Sequence, residues 1–270
     1  MSRGWIIPIG GRIESASLLA RFVELAGSRR APICVIATAS SEADTGPLYE
    51  SRLRDAGARE VKVLPLSRRG DCDDGDWLAL LARAGGVFFT GGNQGRLATV
   101  LGGTPVAELI RRRNATEGLV VGGSSAGAAF LPVHMIAGGT EGPTPHSKMV
   151  TLAPGLGLID RAIVDQHFTQ RNRLGRLLSA MAYNPSLVGL GVDEDTGAFI
   201  GPDDVLEVEG SGGVTVVDPS RVEFSSIDSA QPHEAVALLG LTLHCLVAGT
   251  TFDLVRREAH VGDALLARHA

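Results

Sequence analysis

The sequence predicts an α/β protein: a parallel sheet with helices on both faces, followed by a C-terminal antiparallel β extension. Three observations predict it. Short apolar runs alternate with helix-period segments through the first half of the chain. The runs are apolar throughout rather than at every second residue, the pattern of strands covered on both faces. Near residue 199 the pattern changes to paired runs separated by the turn signals "GPDD" and "GSGG".

The spacing predicts strands over 5–9, 32–37, 60–64, 86–90 and 119–121, with helices over 14–26, 46–56, 76–84 and 106–113 between them. Leu18, Leu19, Phe22 and Leu25 form the apolar stripe of the first helix. In the second half, "GGTEGPTPHSK" (138–148) reads as a surface loop. Residues 150–152, 162–165 and 188–192 read as short strands, and 199–217 as hairpin-like. Residues 169–181 read as a helix with Leu174, Leu177 and Leu178 on one face. No repeat or linker interrupts the chain, so one domain over 1–270 is expected.

Composition excludes several function classes. With 44% hydrophobic and 20% charged residues among 270, the chain can bury a sizeable core and is not of the disordered class. A net charge of −5 and 4% aromatics argue against a nucleic-acid partner. Cys34, Cys72 and Cys245 form no C-x-x-C, which argues against a disulfide framework or zinc ribbon, and Cys34 and Cys245 lie in apolar runs as small core residues would. The apolar stretch in "MSRGWIIPIGG" is short for a secretory leader and no run reaches the length of a membrane span, so a cytoplasmic protein with no membrane partner is expected. Lys62 and Lys148 are the only lysines, so basic charge is almost all arginine and a single arginine says little.

In open parallel sheets, sites form beyond the C-terminal ends of the strands. "IGGR" (9–12), "TGGNQGRL" (90–97), "VGGSSAGAAF" (121–130) and "DEDTG" (193–197) occupy such ends. Gly123 to Gly127 fit G-x-S-x-G centred on Ser125: a strand turning sharply into a helix holds its serine at the bend, where only tiny neighbours avoid a clash. The N–H of Ala126 then faces a developing oxyanion, and Gly91-Gly92 on the neighbouring strand end can supply a second donor. The bland alternative is a glycine-rich turn with serine as a helix cap.

A serine nucleophile needs a base and an orienting acid. Among the seven histidines, His260 and His269 lie in charged surroundings near the C-terminus, His233 and His146 in loops, His244 in an apolar run, and His134 soon after the serine helix. His167 lies at a strand end before a helix, where active-site residues sit. Arg171, Arg173 and Arg176 follow, either as a solvated basic face or as a clamp for carboxylates. Acidic residues also gather, at Asp165, Asp193, Glu194 and Asp195; Asp193 to Asp195 could form an ordinary turn, orient the histidine or receive a cation.

Together, "FFTGGNQGRL", "GGSSAGA", "DQHFTQRNRLGRL" and "GLGVDEDTGAFI" resemble, in order and spacing, the cyanophycinases, serine exopeptidases of the dipeptidase E-like clan. The resemblance covers nearly the whole chain. It implies a flavodoxin-like, class I glutamine amidotransferase-like fold, with Ser125 as nucleophile, His167 as base and Glu194 as orienting acid. It further implies oxyanion N–H groups at Gly92 and Ala126, a substrate pocket of Gln94, Asp165, Gln166, Arg171, Arg173 and Arg176, and a homodimer. The implied substrate is cyanophycin, an aspartate backbone with arginine joined to each side-chain carboxyl, released as β-Asp-Arg dipeptides. No metal or organic cofactor is expected. Three positions depart from the family pattern: Ser124 for threonine, Asn93 for aspartate, and Pro143 for an acid, with Glu141 two residues earlier as an alternative orienting acid. Rival readings are a serine dipeptidase acting on short aspartyl or isoaspartyl peptides and a non-catalytic binding protein on the same scaffold. A glutamine amidotransferase would carry cysteine at the bend.

Overall fold

The apolar runs of the first half become strands β1 (Ile6–Ile9), β2 (Ile33–Ile36), β3 (Val61–Leu64), β4 (Gly86–Phe89) and β5 (Val120–Ser124) in a computed structural model, which describes residues 2–27 and 30–267. His269 lies outside the described residues. All five run parallel, in the order β3-β2-β4-β5-β1. Every residue of β1, β2, β4 and β5 is buried, which is why these strands read as unbroken apolar runs.

The two-residue period survives in which core each side chain joins. Ile7, Val35, Phe88 and Val120 meet α1 (Ala16–Leu25) and α2 (Thr45–Asp55) on one face. Ile6, Cys34, Val87 and Val121 meet the opposite layer, made by α3 (Gly75–Arg83), α4 (Gln94–Leu101), α5 (Pro105–Glu117) and α6 (Ala126–Phe130). The expected helices on both faces are present, with ends within a few residues of those read from the sequence.

Beyond α6 the chain forms a hairpin, β6 (His134–Gly139) with β7 (Val150–Pro154), then β8 (Ala162–Gln166), α7 (Leu174–Tyr183) and β9 (Val188–Val192). β10 (Thr196–Ile200) returns to the main sheet and lies antiparallel to β1, pairing Ile9 with Gly197. β11 (Val205–Gly210) follows β10 in that sheet, and β12 (Gly213–Asp218) leaves it to join β8 and β9. After the short pair β13 (Phe224–Ser225) and β14 (Leu238–Leu239), β15 (Thr242–Val247) extends the β8–β9–β12 sheet. Finally β16 (Thr250–Asp253) and β17 (Glu258–Val261) extend the main sheet to nine strands, and α8 (Asp263–Leu266) follows. The antiparallel extension is therefore divided between two sheets.

Several expectations are corrected. The helix expected over 169–181 begins at Leu174: Asn172 has a φ of 51°, and residues 167–173 form a loop closed by N–H bonds from Arg171 to the His167 carbonyl and from Arg173 to the Phe168 carbonyl. The first two residues of the expected loop 138–148 belong to β6. α4 and β6 were not expected; the first is short and contains Gly95, and the second ends on Gly138-Gly139. Cys245 is exposed rather than a core residue, because β15 is an edge strand whose Leu246 faces inward. Among the described residues no helix is long and apolar enough to cross a membrane.

The helix after Ser125 packs flat on β4 because Gly127 has no side chain: a Cβ there would collide with the carbonyl oxygen of Phe89. Gly127→Ala should destabilise the fold by about 1–3 kcal/mol, the usual cost of overpacking, read as a lower urea midpoint. A variant with the parental midpoint would contradict this packing.

Candidate active site

Three consecutive carbonyls at the end of β1 organise the site. The backbone N–H of Ser125 donates to the Ile9 carbonyl at 2.9 Å, that of His167 to Gly10 at 2.8 Å, and that of Asp195 to Gly11 at 2.8 Å. All three donors have positive φ, at 55°, 47° and 49° respectively. Such backbone costs a non-glycine residue on the order of 1–3 kcal/mol and persists where its surroundings over-determine it. Gly11, at φ 121°, must be glycine, because a Cβ there would run into the His167 ring.

These bonds bring three side chains into line. His167 Nε2 lies 2.8 Å from Ser125 Oγ, and His167 Nδ1 lies 2.7 Å from Glu194 Oε1. The carboxylate can only accept, so Nδ1 carries the proton and Nε2 is left to accept from the serine hydroxyl. Burial lowers the His167 pKa below its ordinary value, the hydrogen bond to Glu194 opposes this, and the nearby Arg171 guanidinium lowers it further. The net direction is downward, towards a neutral ring.

The three adjacent acids have separate partners. Glu194 faces His167, and its backbone N–H donates to Gln170 Oε1 at 3.1 Å. Asp193 accepts from Thr169 N–H (2.9 Å) and hydroxyl (2.7 Å) and from Gly213 N–H (3.1 Å). Asp195 accepts from Glu14 N–H and from the Ser15 N–H and hydroxyl, anchoring the start of α1, and from the Ser211 hydroxyl. Burial opposes ionisation of Asp195, but these four bonds outweigh it and hold its pKa low. Glu141 pairs with Arg173 at 3.4 Å, and the carboxylate that bonds the imidazole is that of Glu194.

Of the candidate oxyanion groups, Ala126 adjoins the serine in sequence and Gly92 packs against the Ala39 carbonyl. Ala126 is buried in the first turn of α6, and a Cβ on Gly91, next to Gly92, would touch Ser125 Cβ at 3.4 Å. Gln94 opens α4 and donates through Nε2 to the carbonyls of Ile136 (3.0 Å) and Ala137 (3.1 Å).

The arginine segment is neither a solvated face nor an open clamp. Arg176 is 4% exposed and grips Asp165, 1% exposed, through both Nε (2.6 Å) and Nη2. Arg173 is also buried and donates to the Gln166 carbonyl and, at 2.9 Å, to its side chain. Burial and the Arg176 charge depress the Arg173 pKa. Arg171 alone of the three is exposed. Two groups at the site were not expected: Arg12, whose Nη1 lies 3.7 Å from Glu194 Oε2, and Gly11, which cradles the imidazole. "IGGR" at a strand end was the signal for both. Among the described residues no cluster of His, Cys, Asp or Glu could hold a metal ion.

Comparison with known proteins adds an independent finding. The sequence matches peptidase family S51 over residues 9–208. It is 42% identical over 256 residues to a cyanophycinase of Trichormus variabilis, covering 93% of this chain and 86% of that protein. It is 39% identical over 262 residues to a cyanophycinase of Geminocystis herdmanii, covering 96% and 95%. The fold is similar to that of a peptidase from an acI-B1 Actinobacterium, with a TM-score of 0.64, 21% identity, and 96% and 97% of the two chains covered.

The buried Asp165–Arg176 pair generates a stability prediction. Removing Asp165 leaves Arg176 and, 3.6 Å from the same carboxylate, buried Arg173 without their counter-charge, so Asp165→Asn should cost about 3–5 kcal/mol. Arg176→Met leaves Asp165 its contact with Arg173 and should cost less, and combining Asp165→Leu with Arg176→Met should recover little, because Arg173 then stays buried without that carboxylate. Urea unfolding of the three variants checks this. Singles as stable as the parent would show that the pair is not closed to water.

Proposed function

This chain belongs to peptidase family S51, and from that premise we propose that it is a serine exopeptidase that hydrolyses cyanophycin, multi-L-arginyl-poly-L-aspartate, to β-Asp-Arg dipeptides. The observation that carries the reading is the line of contacts from Ser125 Oγ through the His167 ring to Glu194, at 2.8 and 2.7 Å. The names of the relatives at about 40% identity support the substrate.

In this mechanism His167 Nε2 takes the Ser125 hydroxyl proton as Oγ bonds to the backbone amide carbonyl carbon beside a β-linked aspartyl residue. Glu194 keeps the Nδ1 proton in place and stabilises the imidazolium. The N–H groups of Ala126 and Gly92 receive the charge that develops on the carbonyl oxygen. The C–N bond then breaks, Nε2–H passes its proton to the leaving amine, and a water activated by the same nitrogen releases the acyl group. Of the proposed pocket groups, Arg171 is exposed and Gln94 partly exposed, so these two would meet substrate directly, whereas Asp165, Gln166, Arg173 and Arg176 are buried and would support the pocket from within.

Mass analysis of products from purified cyanophycin tests the substrate: β-Asp-Arg is expected, and an intact polymer alongside cleavage of short isoaspartyl peptides would assign the dipeptidase reading instead. Ser125→Ala should lower kcat/KM by on the order of 10³-fold or more, and near-parental turnover would remove Ser125 from the mechanism.

The pH dependence follows from the sign of the His167 shift. The neutral ring is the base, and its pKa is lowered, so the acid limb of kcat/KM should have its midpoint below the ordinary imidazole value of 6.5. Arg171→Gln removes one lowering influence and should move the limb to higher pH. Glu194→Gln removes a raising influence and should move it the other way. A limb that stays put in both variants would mean that another group titrates.

A further inference from the structure

Gly91 and Gly92 also line a cleft of about 570 Å³, whose other lining residues include Ser40, Glu42, Tyr49 and Arg96. A Cβ on Gly91 would touch Ser125 and one on Gly92 would collide with the Ala39 carbonyl, so this loop lies between the serine and the cleft.

The cleft has a fixed frame. Asn93 N–H donates to the Ala39 carbonyl at 2.9 Å, and Arg96 Nη1 donates to the Ser40 carbonyl at 2.9 Å, tying the start of α4 to the loop before α2. Within that loop Glu42 N–H donates to Ser40 Oγ at 3.0 Å, and Ser40 Oγ lies 2.7 Å from Thr45 Oγ1. The Tyr49 ring at the base is stacked on Phe88.

The cleft also holds two charges without an ion-pair partner. Among the described residues, exposed Glu42 meets only the Ser41 hydroxyl through its carboxylate, at 3.4 Å. The Arg96 guanidinium, again among the described residues, meets only the Ser40 carbonyl. Neither forms an ion pair among the described residues, with each other or with a third group. Asp165 and Arg176, by contrast, neutralise each other out of reach of solvent.

One acid and one base held apart fit a ligand that carries the opposite pair. A β-linked arginine is such a group: its α-amino nitrogen is consumed by the isopeptide bond, which leaves a free α-carboxylate at one end and a guanidinium at the other. We infer that this cleft is the subsite for the β-linked arginine arm of the substrate, with Glu42 receiving the guanidinium and Arg96 the α-carboxylate. The inference rests on the proposed function and names the substrate group that it discriminates.

The test is a cycle of enzyme and substrate variants. Short poly-aspartyl substrates are prepared with β-linked arginine, β-linked citrulline, which lacks the guanidinium charge, and β-linked arginine amide, which lacks the carboxylate. Glu42→Gln should raise KM about tenfold for the arginine substrate, the low end for losing a charged hydrogen bond, with the loss in KM rather than kcat, and should erase the preference for arginine over citrulline. Arg96→Gln should erase the preference for the free carboxylate over the amide, and Arg96→Lys should restore part of it. Both residues are exposed, and the urea midpoint of each variant is read alongside the kinetics because Arg96 also ties α4 to the loop before α2. If the parent enzyme cuts none of the three substrates, the cyanophycin reading itself fails. If the parent cuts the arginine substrate and Glu42→Gln keeps its preference for arginine, the subsite assignment alone is overturned.

Discussion

Everything at the site depends on three hydrogen bonds accepted by one short piece of backbone. The carbonyls of Ile9, Gly10 and Gly11 each take the N–H of a residue from a different part of the chain: Ser125 from the end of β5, His167 from the end of β8, and Asp195 from the turn before β10. Glu194 is carried along because it precedes Asp195. Each accepted bond also helps hold a backbone conformation that a non-glycine residue rarely adopts. The cost of that conformation is offset by bonds of 2.8–2.9 Å to buried backbone at and just beyond the end of β1.

The same constraint explains the division of labour among neighbouring acids. Asp193, Glu194 and Asp195 are adjacent in sequence yet serve three directions: the loop after His167, the imidazole itself, and the start of α1. The outer two fix the turn, and the middle one is thereby aimed. Around His167 the influences oppose one another. Burial and Arg171 favour the neutral ring while Glu194 favours the cation, and the balance falls on the neutral side without the ring losing its partner.

Much of the fold was legible because its signals are local. Unbroken apolar runs, the stripe of α1 and the small residues around Ser125 follow from burial and steric fit at short range. The start of the helix after His167 is not legible locally: Leu174, Leu177 and Leu178 mark α7 correctly, but nothing nearby reveals the positive φ of Asn172. The site was less legible wherever partners are distant in sequence. Gly11 reads as one glycine among 35; only the His167 ring, 156 residues away, shows why it has no side chain. Arg173 and Arg176 resemble a solvated basic face until Asp165 and Gln166 are seen to enclose them. Cys245 followed the apolar run around it, and only the position of β15 at a sheet edge turns it outward.

The pairing of β1 with β10 has a further consequence. Ile9 lies opposite Gly197, a contact spanning most of the polypeptide, and Ile6 lies opposite Ile200. Contacts of such long sequence separation close large loops and belong to slow folding. During synthesis the first carbonyls of the template leave the ribosome long before Asp195 exists to bond with the last of them. The serine, imidazole and carboxylate that line up in the finished fold therefore share no frame until about two hundred residues have been made.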